Sequence, residues 1–203
     1  MSRLQIKDQN NMPRVINALQ ELNRLKIEVG IFGGNNEENH VLMVAGVHEF
    51  GTTIRPKKSQ YLTIPFPAAG DRSAREIDGL FRPHGTNILA VPKGKKQFEP
   101  MFALVKKVEI PERSFLRSTY DENENDIGKN IEKLIPKVIS LEMTPETLMN
   151  RVGAWIVSRI KRKIIEIKNP SNSSATKENK GSSNPLVDTG RMRRSITWRV
   201  VRN

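Results

Sequence analysis

From Thr144-Pro145 to Ile167 the chain contains no further proline and carries Val152, Ile156, Ile160, Ile164 and Ile167 on one broad face at about 100° per residue. Arg151, Lys161 and Arg162 fall on the opposite side. Thr144 is suited to cap such a helix and Pro145 to occupy its first turn. The spacing predicts a long amphipathic, basic helix, an element that needs a core to receive its apolar side.

Shorter elements surround it. Pro13 opens a run in which Val15, Ile16, Leu19 and Leu22 recur at helical spacing, predicting a helix near 12–25. Ile27, Val29 and Ile31 then alternate with Lys26, Glu28 and Gly30 as a strand does, up to the Gly33-Gly34-Asn35-Asn36 turn cluster. His40 to Phe50 reads as a short helix closed by Gly51. Residues 52–110 read as a strand-rich insertion, with short runs at Tyr61–Ile64, Asn87–Val91 and Phe102–Val105 and basic turns at Lys93, Lys95 and Lys96.

After Pro111, the residues Phe115, Leu116, Tyr120, Ile127, Ile131 and Leu134 mark another long helix. Pro136 is expected to end or kink it, and Asn123-Glu124 leave a break inside it open. Residues 169–185 hold no apolar side chain except Ala175 and are expected to form a mobile loop. Asp188 or Thr189 then caps a short basic helical turn, and Ile196, Trp198 and Val200 alternate as a closing strand.

The 203 residues fit one domain over 1–203, or one domain carrying a large insertion. Hydrophobic residues at 36% fall a little short of a fully packed domain, in keeping with an unpacked loop. With 34 Lys and Arg against 22 Asp and Glu, the net charge is +12, and it is segregated. Residues 51–110 hold 11 basic against 5 acidic side chains and residues 151–203 hold 13 against 3, whereas 111–150 is acidic. Such asymmetry suits nucleic acid, an acidic partner, or subunits that meet acidic face to basic face. No run approaches the roughly 18 apolar residues of a membrane helix, and the start lacks the apolar stretch of a signal peptide. The expected setting is a cytoplasm without membrane contact.

Chemistry finds little purchase. The absence of cysteine excludes disulfides, thiolate zinc sites and thiol nucleophiles. His40 and His48-Glu49 are too far apart for the two-His helical zinc motif, where the ligands stand four residues apart. Ser114, Ser195 and His84 lack the strand-turn-helix flanks of a nucleophile elbow. Gly33-Gly34 and Gly94-Lys95 do not complete a phosphate-binding loop. No enzyme activity, metal or cofactor is expected. Arg191, Arg193, Arg194, Arg199 and Arg202, with the basic helix, could neutralise phosphates, so nonspecific DNA binding is the alternative function. Aromatics at 5% offer no stacking platform for it.

Three strings occur in order: Val47-His48-Glu49-Phe50-Gly51-Thr52, then Ile110-Pro111-Glu112-Arg113-Ser114-Phe115-Leu116, then Pro185-Leu186-Val187-Asp188-Thr189-Gly190-Arg191-Met192-Arg193-Arg194-Ser195-Ile196. Together they resemble tailed-phage neck proteins, the small head–tail joining or tail-completion proteins of the HK97-like and Mu-like virion morphogenesis families. The family strings read approximately H-E-F-G-T, I-P-A-R-P-F-L and L-x-D-T-G-x-L-x-x-S-I. The stretch Lys58 to Pro65, with Gly79-Leu80-Phe81 and Met101 to Val105 after it, resembles the insertion of longer members, so the resemblance covers most of the chain from about Val29. Glu112 and Ser114 depart from the common Ala and Pro.

The resemblance implies an α+β fold, a small antiparallel sheet packed by two or three helices including the long amphipathic one. It implies a structural virion protein of the neck, assembled in the host cytoplasm as a homo-oligomeric ring, commonly a hexamer, between the head-side connector and the tail tube or tail terminator, with DNA passing through the lumen. The motif residues His48, Glu49, Phe50, Gly51, Pro111, Phe115, Leu116, Asp188, Thr189 and Gly190 then have structural roles. Arg151, Lys161, Arg162, Arg191, Arg193 and Arg194 form a basic surface facing a subunit or DNA.

Overall fold

The computed structural model describes residues 10–94, 97–173, 176–177 and 183–203. Lys95 and Lys96 of the basic turn, and residues 174–175 and 178–182 of the segment expected to be a mobile loop, lie outside the described residues. The fold is α+β, with small antiparallel sheets of two or three strands and, among the described residues, five helices. The chain divides into two compact units, each assembled from separate stretches of sequence.

One unit takes residues up to Val41, Phe115–Ile164 and Arg193–Asn203. Helix α1 (Met12–Arg24) leads into strand β1 (Leu25–Gly30), which pairs antiparallel with the last strand, β7 (Thr197–Arg202). Glu28 stands directly opposite Arg199, and their side chains form an ion pair at 2.6 Å, the cross-strand placement that favours opposite charges. Helices α3 (Arg117–Ile139) and α4 (Pro145–Glu166) complete this unit. Its core is built on Val138, Met143, Leu148 and Val152, against which Ala18 and Leu22 of α1, Ile27 of β1 and Ile127, Ile131, Leu134 and Ile135 of α3 pack.

Of the two outcomes expected at Pro136, an end or a kink, α3 does not end there. It continues to Ile139, because Val138 beyond the proline is fully buried in the core, and that burial offsets the lost hydrogen bond. Nor does it break at Asn123-Glu124: the Asn123 amide donates to the Thr119 carbonyl one turn back, satisfying itself on the helix. The helix closes at Leu141, whose φ of +60° reverses the chain while its N–H donates to the Val138 carbonyl. Thr144 caps α4, its Oγ1 accepting from the Thr147 N–H at 3.1 Å. On α4, Val152, Ile160 and Ile164 of the expected apolar face are buried.

The other unit takes residues 42–114 and 165–192. Helix α2 (Asn36–Phe50) starts four residues earlier than the apolar run suggests, since Asn35 Oδ1 accepts from the Glu38 N–H and caps it. Strands β2 (Thr52–Ile54) and β6 (Val108–Ile110) pair antiparallel and enclose the rest of the insertion. Within it, β3 (Leu62–Pro65), β4 (Ile88–Lys93) and β5 (Gln97–Val105) form a sheet in the order β3-β5-β4. Met101 and Phe102 of β5 and Ala69 of the 3₁₀ turn Pro67–Ala69 form its core, with Ile77, Leu80, Leu89 and Val91 packed around them. A last short helix, α5 (Arg191–Ser195), follows a turn in which Thr189 Oγ1 accepts from the Arg191 N–H at 3.4 Å.

Candidate functional site: a motif interlock

The first two motif strings converge in the unit that holds the insertion. Gly51 follows α2 with φ +66°, a conformation costly to any residue with a side chain. The turn lies so close to the second string that a Cβ at Gly51 would stand 2.8 Å from the Glu112 nitrogen and 3.1 Å from the Ile110 carbonyl. Thr52 therefore enters register with Ile110 and starts the β2–β6 pairing. The Arg113 N–H donates to the His48 carbonyl at 2.7 Å, and Ser114 Oγ donates to Glu49 Oε1 at 2.7 Å. Glu49 is only 3% exposed, and a buried carboxylate needs such donors.

Arg113 is the second buried charge, 5% exposed. Its guanidinium donates to the carbonyls of Pro170 at 2.7 Å and Ser171 at 3.2 Å, and its Nη1 lies 3.4 Å from His48 Nδ1. Burial lowers its pKa from the ordinary guanidinium value. These acceptors fan out around a planar fork, the geometry arginine fits and lysine does not. Sequence reading missed Arg113 and Ser114 as the partners of His48 and Glu49. The one signal was their position inside the second string, since a contact across 65 residues has no local signature.

The remaining motif residues differ in their exposure. Phe115 is fully buried, Leu116 is half-buried at the start of α3, Pro111 is exposed, and Phe50 is 65% exposed. Asp188 and Thr189 are exposed, and Gly190 has φ +76° ahead of α5. An open groove of about 620 Å³ beside the interlock is lined by Phe50, Gly51, Thr52, Thr53, Glu109, Ile110 and Pro111. Its one ionisable lining group, Glu109, is ion-paired with Lys107. Ser114 points its hydroxyl at a carboxylate instead of a histidine. Among the described residues no three His, Asp or Glu side chains converge to hold a metal ion, and no helix is long and apolar enough to cross a membrane.

The basic residues fall on two helices. Arg151 and Arg162 are exposed and Lys161 half-buried on α4; Arg191, Arg193 and Arg194 are exposed on α5. Among the described residues, Arg151, Lys161 and Arg162 form no ion pair, and Arg159 beside them stacks on Trp155 at 4.7 Å. No protein-family model, curated protein or solved structure matches the chain.

Proposed function

We propose that the chain is a structural subunit of a tailed-bacteriophage neck, a homo-oligomeric ring of six copies that completes the tail and joins it to the head connector. It is assembled in the host cytoplasm, takes its place in the virion between connector and tail tube or tail terminator, lets DNA pass through its lumen, and catalyses nothing. The observation that carries this reading is where the motif residues go. Two strings that resemble the neck families meet as one interlock, in which Glu49, Ser114, His48 and Arg113 satisfy one another and Gly51 lets two backbones touch. Residues used in this way specify a fold and leave no group to react.

Electron microscopy of lysates from a phage with a stop codon early in this gene tests the reading. DNA-filled heads and separate tails are the expected products. Joined, normal particles overturn it.

One observation favours a second reading, nonspecific DNA binding: Arg151, Lys161 and Arg162 of α4, which form no ion pair among the described residues, with Trp155 beside them. Binding through several phosphates weakens by orders of magnitude between low and moderate salt. Ring contacts with an apolar centre change far less, so a salt series on duplex binding separates the two.

A further inference from the structure

Strands β1 and β7 pair only with each other, so among the described residues their ribbon has two bare edges. The Asn203 N–H donates to the Arg24 carbonyl at 2.9 Å, one step beyond the Leu25–Arg202 pair. In an antiparallel ladder such hydrogen-bonded pairs alternate with pairs whose N–H and C=O groups point outward. Stepping along from Arg24 and Asn203, the backbone of Leu25, Ile27 and Val29 faces outward from β1, and that of Trp198, Val200 and Arg202 from β7. Among the described residues no hydrogen bond reaches the outward backbone groups of Ile27, Val29, Trp198 or Val200.

Chains ordinarily blunt such edges with proline, a bulge or a very short strand. Here both six-residue strands lack proline, and the register runs from Leu25 to Gly30 without a shift. Nor do free charges guard the edges. Arg199 is taken by Glu28 and Arg202 by Glu21, which leaves Lys26 as the one charge of the ribbon without an ion pair among the described residues.

We propose that β1 of one copy pairs antiparallel with β7 of the next copy, in the register that β1 keeps with its own β7. Charge marks that register. Lys26, Glu28 and Arg199 share the face opposite the core, because side chains alternate along each strand. Slid by two residues one way, Arg199 of the next copy meets Lys26, and slid the other way it meets Gly30. In the shared register it meets Glu28, so every Glu28 lies between two arginines and every Arg199 between two glutamates. On the core side, half-buried Ile27 and Val29 come opposite half-buried Val200 and Trp198 of the next copy.

The stretch of β1 open to a neighbour runs from Leu25 to Val29, since Gly30 and Ile31 beyond it are buried. Its three outward residues meet three on β7 and exchange two hydrogen bonds each, less one because the Leu25 N–H already donates to the Leu22 carbonyl. Strand addition draws its affinity from such main-chain bonds more than from area. Joining unlike edges is head to tail, so one contact repeats, closes as a ring and leaves no edge over. The two-fold alternative, β1 on β1, sets Lys26 against Glu28 but stops at two copies with both β7 edges bare. The inference rests on the ring-subunit reading for its closure, and on the bare edges and the match of Glu28 to Arg199 for its location.

Hydrogen–deuterium exchange of the full chain, read residue by residue by fragmentation mass spectrometry at low and high concentration, tests it. The inward amides of Lys26, Glu28, Arg199 and Val201 should be protected at both. The outward amides of Ile27, Val29, Trp198 and Val200 should exchange quickly in the dilute chain and slow by at least about tenfold on association. Val29→Pro and Val200→Pro each remove one outward N–H and spare the inner ladder. Each should weaken association by at least about tenfold in native mass spectrometry. Their equimolar mixture should form a one-to-one pair and stop there, since only the β1 edge of one and the β7 edge of the other remain to meet. Should either variant unfold, the exchange of the unaltered chain decides alone.

A chain that stays monomeric up to about 1 mM, the weak end of specific binding, overturns the proposal. So does an oligomer whose outward amides exchange as fast as in the dilute chain. A dimer that survives Val200→Pro and is lost in Val29→Pro overturns it in favour of the two-fold pairing. An oligomer with unprotected edges leaves the neck reading standing with another interface. Failure of the neck reading shows separately, as normal particles from the stop-codon phage.

Discussion

The indole of Trp198 on β7 rests on the backbone of α4 at Gly153: a Cβ there would stand 2.7 Å from Trp198 Cγ and 2.9 Å from Nε1. The indole N–H donates to Asn150 Oδ1 at 3.0 Å, one turn earlier on the same helix. An apolar ring with one polar tip is thus held at both ends, and it fastens the closing strand to the long helix.

Gly153→Ala should displace the indole and cost about 2–3 kcal/mol, the range for overpacking a close contact. Urea unfolding measures this, and the Trp198 contribution to fluorescence should shift to the red. Asn150→Ala removes the acceptor alone and should cost about 1–2 kcal/mol. Equal, negligible losses would mean that the strand is held elsewhere.

Gly51 and Gly79 both have positive φ, +66° and +73°, but only Gly51 has backbone atoms where its Cβ would go. Gly79→Ala should cost about 1 kcal/mol, the conformational penalty alone. Gly51→Ala should cost at least about 2 kcal/mol more, because the turn must also move away from Glu112. Comparing the two thermal midpoints isolates the close approach from the backbone preference.

Arg113→Lys keeps the charge and loses the fork. Fewer donors then reach the Pro170 and Ser171 carbonyls, and buried acceptors are left unmet, a loss of about 2–3 kcal/mol. Limited trypsin digestion followed by mass spectrometry should show faster cleavage after Lys168, just before the anchored segment. Unchanged cleavage would show that Arg113 does not hold it.

Two exposed carboxylates titrate low. The Ser73 backbone N–H holds Glu76 in its charged form, at 2.6 Å, and Lys107 does the same for Glu109 by a hydrogen bond and by its charge, so both lie below the ordinary 4.5. Because their folded pKa values are depressed, their contribution to stability is present above the unfolded value and is lost as pH falls through the folded one. Side-chain carbon NMR titration should place both below unfolded peptides of the same sequence. Glu76→Gln should flatten the acid limb of the stability curve.

Where a signal is local, the sequence is a good guide. The helix read from Val15, Ile16, Leu19 and Leu22 is α1, the Thr144-Pro145 start opens α4, and Trp198 and Val200 of the expected closing alternation lie in β7, with Ile196 just before it. Periodicity records which side of an element meets the core, and caps record where the backbone turns. Pro136 shows the limit, since a local preference gave way to the burial of Val138 two residues on.

The candidate site was legible only as strings. Glu49 and Gly51 could be named from the sequence, whereas their partners Ser114 and Glu112 could not, because the contact joins residues more than 60 positions apart. Likewise, the stripe on α1 reads as a single apolar face until the core takes Ala18 and Leu22 and leaves Met12, Ile16 and Leu19 outside.

By itself, the sequence determined the type of the long helices and of most strands, though not of β2 and β6, together with their apolar faces and the segregation of charge, because these depend on each residue and its near neighbours. Only the tertiary structure decided that β1 pairs with β7, that Arg113 closes on the Pro170 segment, and which apolar residues stay at the surface. Those outcomes depend on the burial and hydrogen bonding of many distant groups at once, and no single stretch of chain contains that sum.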